Sequence, residues 1–388
     1  MDAAAYISDR AGNLVSVGGR YQAFVPHSLP PVVNYTPALV ARLSEADQAL
    51  GGVDHLSRFI PNPRLMMIPM VGLEALSSSR IEGTVTTIDE VFRAQVNDGG
   101  TEAEPVREVL NYLKALDVGA EEIREAPVDI NLAKMLHRQL LTGVRGADKR
   151  PGELRDTQVY VGSRYVPPPP RFLAALLANW EEFLVRTASS SALVQCAIMH
   201  AQFEMIHPFL DGNGRVGRLL MTLHLMRRGC LHIPLLFLST YFDRNKDEYY
   251  QRLQAVSQRG DWEGWLEFIC QAVKDQADHG ILTAHNLNSL REGFRRQVLE
   301  GPSSKNALDT VDYLFERPYL NGAMVAQRTG LTAPAARAIL ARLESLGIVQ
   351  ETTGQRRNRI FRAERILEVI RQAEHPLSED EQAQLLFE

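Results

Sequence analysis

Cysteine is scarce in this chain of 388 residues. There are three, Cys196, Cys230 and Cys270, none in a Cys-x-x-Cys pair and each in an apolar context. An odd count without paired spacing argues against a disulfide framework and against a structural zinc site. No run of eighteen apolar residues exists, so no membrane span is read. The opening MDAAAYISDR lacks the charged-then-apolar order of a secretory leader, and a reducing cytoplasm is the expected home. A net charge of −5 offers no global basic field of the kind that binds nucleic acid. The sequence Gly-x-x-x-x-Gly-Lys-(Ser/Thr) is also missing, which sets aside a P-loop ATPase. Tandem repeats and low-complexity tracts are absent too.

What is there fits an ordinary globular protein, with 45% hydrophobic and 23% charged residues. The length suggests two or three domains. FVPHSLPPVV reads as extended, and ALVARLSEADQALGG follows as a helix with Leu39, Leu43, Ala46 and Leu50 on one face. Further helices are expected at about 65–82, ending at Gly83, then at 105–120 and 128–142. In RDTQVYVGSRYVPPPP, Arg155 to Pro170, the period switches towards two, which predicts a short β-hairpin with a proline stop. Helices resume at 171–186, 191–206, 214–228, 245–258 and 261–280, and 281–303 reads as a helix and then a Gly-Pro-Ser-Ser linker. The tail has three short helices and two strands around a Thr-Gly turn, a winged helix-turn-helix pattern. The expected fold is therefore mainly α. Its divisions are an N-terminal helical region (1–120), a core (121–285), a linker (286–304), and a winged-helix domain with a C-terminal tail (305–388).

The chemistry is concentrated in HPFLDGNGRVGR, His207 to Arg218. Two arginines stand at the start of an expected helix, where the macrodipole disfavours cations, so an anion is expected beside them. Gly212, Asn213 and Gly214 allow a tight turn with exposed N–H groups, and the first helical turn adds more. Arg215 and Arg218, three apart, share a helix face. Together they suit a polyphosphate. Asp211 is placed to hold a hard cation next to it, and His207 to act as a base. Each piece alone has a plain reading: a helix cap for Asp211, an interhelical turn for the glycines, solvated charges for the arginines. Their joint occurrence favours phosphate binding. His200 and His224 read as structural, and Trp262 and Trp265 as core.

This stretch resembles the signature of Fic-domain proteins, HPFx(D/E)GN(G/K)RxxR, at every fixed position. FVPHSLPP, LSSSRIEGT, PGELRDTQVYVG, YVPPPP and GDWEGWLEF also resemble segments of that family, so the likeness covers roughly residues 20–280. It implies a Fic helical core with a β-hairpin flap. It further implies transfer of AMP from ATP to a Ser, Thr or Tyr hydroxyl of a protein, with release of pyrophosphate. By the same resemblance His207 is the base and Asp211 holds Mg²⁺ between the α- and β-phosphates. The Gly212-Asn213-Gly214 turn and Arg215 bind phosphate, and Arg218 reaches the γ-phosphate.

A second oddity lies in LSSSRIEGT, Leu76 to Thr84. Glu82 puts an acid at the negative end of a helix, so a cation is expected near it. Ser78…Glu82-Gly83 matches the family's inhibitory pattern (S/T)xxxE(G/N), which implies that Glu82 pairs with Arg218 and keeps it from the γ-phosphate. The hairpin, with Thr157, Gln158, Val159, Tyr160 and Val161, resembles the flap on which a target docks by strand addition. Tyr249 and Tyr250 fall where the family builds its adenine pocket. In the tail, Arg356, Arg357 and Arg359 form a basic wing, yet APAARAILARLESLG is poor in base-reading side chains apart from Arg337 and Arg342. That domain reads as a DNA contact, or equally as a protein-docking or homodimer-forming module. The resemblance leaves three other activities open: removal of AMP by the same site, a different phosphate-group donor, and a DNA-binding regulator whose Fic core only senses nucleotide.

Overall fold

The computed structural model describes residues 3–19, 21–59, 63–96, 102–162, 165–301 and 305–374. Two strands open it, β1 (Gly12–Val17) and β2 (Tyr21–Pro26), antiparallel with Gly12 opposite Pro26 and Val17 opposite Tyr21. The extended reading of FVPHSLPPVV overlaps only the end of β2, and the sequence reading missed the pairing. Gly18 and Gly19, both at positive φ, allow the reversal.

Helices then dominate. α1 (Pro37–Phe59), α2 (Pro63–Ile81), α3 (Ile88–Ala94), α4 (Glu104–Glu122) and α5 (Ile130–Leu140) lead to the flap region. α6 (Leu173–Arg186), α7 (Ala192–Ile206), α8 (Asn213–Arg227), α9 (Leu238–Arg244) and α10 (Lys246–Arg259) follow it. α11 runs unbroken from Trp262 to Leu299, so residues 286–299, expected as part of a linker, are helical. The boundaries are chemically marked. Thr87 and Glu90 form a reciprocal capping box on α3, Asp129 caps α5, and Gly260 closes α10 in the left-handed conformation.

α7 is buried on almost every side, the expected state of a helix apolar all round. It lies against α6, α8 and α11. Trp180 and Trp265, both enclosed, donate their indole N–H groups to the carbonyls of Met199 (3.0 Å) and Ala197 (2.8 Å) on α7. α2 is equally enclosed. From Pro69 to Ser79 every residue is buried, with α4, α8 and α9 on the inner side and α12 (Lys305–Glu316) and α15 (Glu364–Glu374) on the outer.

The tail comprises α12, β3 (Tyr319–Asn321), α13 (Gly322–Thr329), α14 (Ala333–Ser345), β4 (Gln350–Glu351), β5 (Ile360–Arg362) and α15, its sheet ordered β3-β5-β4. It is tied to α2 and α3 by polar contacts. Arg80 Nη1 lies 2.7 Å from Glu374 Oε1, Arg371 Nη1 lies 3.2 Å from Asp89 Oδ2, and the Tyr319 hydroxyl donates to Asp89 Oδ1 at 3.1 Å. Among the described residues, no helix is long and apolar enough to cross a membrane.

Candidate functional site

The site forms where α7 ends and α8 begins. His207 closes α7 in the left-handed region, at φ 51°. Its N–H reaches back to the Phe203 carbonyl at 2.9 Å. Asn213 clips the loop that follows: its Oδ1 accepts the Phe209 N–H at 2.8 Å and its Nδ2 donates to the Phe209 carbonyl at 3.0 Å. The Asn213 side chain is thus committed to holding the turn whose N–H groups were expected to bind phosphate. Gly212 sits at φ 74° and no side chain caps the first turn of α8, which leaves that positive end open.

Arg215 is fully buried, and neither its Nε nor its Nη1 has a hydrogen-bond partner. The nearest carboxylate, Glu108 Oε2, is 3.8 Å from Nη1. A buried guanidinium left short of acceptors is a costly arrangement for an empty pocket and a natural one for an anion site. Asp211 is half-buried in the same loop, and its Oδ1 accepts the Gly212 N–H at 2.6 Å.

Arg218, one turn further along α8, meets the end of α2. Its Nη2 lies 2.8 Å from Glu82 Oε1 and donates at 2.8 Å to the Ser78 carbonyl, while its Nε donates at 2.9 Å to Ser78 Oγ. Ser78, Glu82 and Arg218 are therefore one cluster. Burial alone would raise the Glu82 carboxyl, but the neighbouring Arg218 charge and hydrogen bond hold it below its ordinary range. The acid at the helix end is balanced further by Lys246 Nζ on the Ile81 carbonyl (2.6 Å) and Arg145 Nη2 on the Glu82 carbonyl (3.2 Å).

His207 is pushed down to about 4, by burial first and by the Arg155 charge second, against the pull of the Glu204 carbonyl, Glu82 and Asp211. It is neutral at pH 7. His137 supports the loop from beneath. Gly152 N–H donates to its Nδ1 at 2.8 Å, so the proton sits on Nε2, which donates to the Asp211 carbonyl at 2.9 Å. Its ring stacks on Phe209 at 4.0 Å. Sequence reasoning passed over His137, Glu108, Arg145, Arg155, Glu204 and Lys246. Arg155 did stand inside a quoted segment, PGELRDTQVYVG, without being singled out.

Two expected features differ. Tyr249 is only 1% exposed. It is enclosed against Phe242, and its hydroxyl is 2.8 Å from His200 Nε2. It is a core residue, and of the pair Tyr250 alone offers a face to solvent, because adjacent helical positions point about 100° apart. The flap is not a regular hairpin: among its described residues the one ladder contact is the bridge Val161↔Tyr165. Prolines 167–170 supply no N–H, and the carbonyls of Thr157, Pro167 and Pro168 are taken by the Arg155 and Gln158 side chains. Thr157, Tyr160 and Val161 are exposed, while Gln158 and Val159 are half-buried.

Two family models match the chain, the Fic/DOC family N-terminal region over residues 40–121 and the Fic/DOC family over residues 127–225. The Protein adenylyltransferase Fic of Drosophila grimshawi is 31% identical over 204 residues, which make up 51% of this chain and 40% of that protein. The protein of the same name from Drosophila willistoni is 31% identical over 204 residues, 39% of its length. The chain thus spans well under half the length of these curated relatives. Among solved structures, a Fic family protein from Desulfovibrio desulfuricans G20 superposes with a TM-score of 0.55 at 22% identity, covering 86% of this chain and 98% of that one. Fic-1 from C. elegans superposes with a TM-score of 0.51 at 21% identity, covering 63% and 73%. At these identities the likeness shows the fold. The His207–Arg218 motif lies inside the second matched region, so the stretch that carries the site is the one similar to the Fic/DOC family.

Proposed function

We propose that the chain is a self-inhibited protein adenylyltransferase, moving AMP from ATP to a Ser, Thr or Tyr hydroxyl of a target protein or of itself. The observation that carries this reading is the pairing of Arg218 with Glu82 and Ser78 beside Arg215, whose buried nitrogens lack partners. The triphosphate would lie along the open first turn of α8, with Arg215 on its oxygens. His207, held neutral, would take the proton of the attacking hydroxyl. The hydroxyl oxygen bonds to the α-phosphorus, the α–β anhydride bond breaks, and pyrophosphate leaves with the electron pair. The protein's contribution is positioning and charge stabilisation.

Magnesium would be held by Asp211. Among the described residues there is no cluster of three His, Cys, Asp or Glu able to form a cage. A single carboxylate suits a Mg²⁺ that fills its other positions with phosphate oxygens and water. When bound, it would neutralise phosphate charge. Glu82 would keep Arg218 from the γ-phosphate, so that ATP engages productively only when that carboxylate moves. Tyr250, beside this cluster, would border the base, and the flap residues Thr157–Val161 would receive the target. Arg356, Arg357 and Arg359, exposed in the tail, would serve a further macromolecular contact.

The test is to incubate Glu82→Gly protein, with and without His207→Ala, with labelled ATP and Mg²⁺ in cell lysate. Label should enter protein with the first variant and not with the second. Nucleotide binding by Glu82→Gly without transfer to any protein would refute the reading.

A further inference from the structure

Arg155 is 2% exposed, and its hydrogen bonds go to backbone oxygens. Its Nε donates to the His207 carbonyl at 2.7 Å and its Nη2 to the Ile206 carbonyl at 3.2 Å. Its own backbone N–H donates to the Pro208 carbonyl at 3.0 Å. Three consecutive carbonyls centred on His207 are therefore taken by one residue. They lie at and just beyond the C-terminal end of α7, where carbonyls lack helical partners and the dipole favours a cation. The same guanidinium reaches both arms of the flap, with Nη1 donating to the Thr157 carbonyl at 3.2 Å and Nη2 to the Pro168 carbonyl at 2.6 Å.

We propose that Arg155 is a positioning residue that fixes the catalytic histidine and both arms of the target-docking flap as one unit. It rests on the adenylyltransferase reading for what that unit does. A left-handed, non-glycine backbone such as that of His207 persists only where its surroundings over-determine it, and Arg155 supplies that constraint. A target strand laid along Thr157–Val161 is then registered, through a single planar group, against the ring that takes its hydroxyl proton. The Arg155 donors are spent on backbone carbonyls, so its loss should leave phosphate binding intact. Arginine suits the task because its rigid fork presents donors in several directions at once, which a lysine ammonium on a flexible stem does not do.

The test uses the full chain in the Glu82→Gly background, comparing Arg155→Met and Arg155→Lys. Three readouts apply: auto-modification with labelled ATP, hydrogen exchange at 157–161 and 205–207, and calorimetry. Calorimetry measures Mg·ATP affinity. A displacement of order 1 Å at the base costs about a hundredfold in rate. Arg155→Met should therefore lose about that much at saturating ATP, with Mg·ATP affinity within about twofold of its parent. Arg155→Lys should recover part of the loss. Exchange should quicken in both segments together for Arg155→Met. The proposal is overturned if only one segment loosens, if the rate is unchanged, or if ATP affinity falls in step with rate, which marks a general folding prop. A Glu82→Gly parent that binds ATP but transfers nothing would refute the function, while the exchange result would still decide the coupling.

Discussion

Replacing Glu82 by glycine removes the carboxylate 2.8 Å from Arg218 Nη2. The Arg218 side chain is 2% exposed and that of Glu82 31% exposed, so the pair is largely but not wholly desolvated. Removing one partner of a buried pair costs about 3–5 kcal/mol, and exposed pairs are worth about 0–1 kcal/mol. The partial exposure of Glu82, and the two bonds that Arg218 keeps to Ser78, place this pair between those limits, at about 2–3 kcal/mol. If the γ-phosphate claims Arg218 as proposed, the same free energy would oppose ATP. At 1.4 kcal/mol per decade, removing the carboxylate should raise transfer of labelled AMP roughly 30- to 140-fold at limiting ATP. Urea unfolding supplies the second reading. Without nucleotide, Glu82→Gly should lose about 2–3 kcal/mol, and saturating Mg·ATP should narrow that gap by binding the folded state. Glu82→Gln, which keeps the shape and loses the charge, should fall between wild type and glycine. A loss of stability without any gain in transfer, in protein that binds ATP, would refute the reasoning and leave the pair a structural contact.

A Cβ at Gly214 would collide with Glu82 Oε1, so Gly214→Ala should displace that carboxylate. Its stability cost should be non-additive with Glu82→Gly in a double-mutant cycle, which denaturation of the four proteins measures. Arg215→Met should weaken Mg·ATP binding about tenfold or more by calorimetry. It should cost less stability without nucleotide than Arg218→Met, because the buried Arg215 nitrogens have few acceptors to lose. For pH, a carboxyl depressed below its ordinary value stabilises the fold above that value and loses the contribution as pH falls through the lower, folded one. Glu82 is depressed. The ratio of Glu82→Gly to wild-type transfer should therefore stay flat between about pH 6 and pH 8 in a rate profile.

The motif was legible because its chemistry is contiguous. One helix start carries the turn, Asp211, Arg215 and Arg218, and two charges set against a helix dipole announced partners. The structure brings Ser78, Glu82 and Arg218 together as the sequence suggested. What escaped is what comes from afar. Arg155 and His137 act through backbone carbonyls 52 and 74 positions away, and a carbonyl leaves no mark in the sequence. The flap read as a ladder because alternation shows in side chains, whereas Arg155 and Gln158 draw away its carbonyls. Tyr249 and Tyr250 looked equivalent because adjacency in a helix hides that neighbours face different ways. The Gly18-Gly19 pair between alternating segments was a readable hairpin signal that was not used.

Glu82 follows directly on the last residue of α2, which is packed by α4, α8 and α9 and by the tail's α12 and α15. Sliding α2 away from α8 would open apolar surface on both sides and part Arg80 from Glu374. Glu82 has a far less costly exit: rotation about its own side-chain bonds, just beyond the last helical turn. If the proposed inhibition holds, the pair would act as a hinged pin set in a fixed frame, and nucleotide would need to turn only that pin.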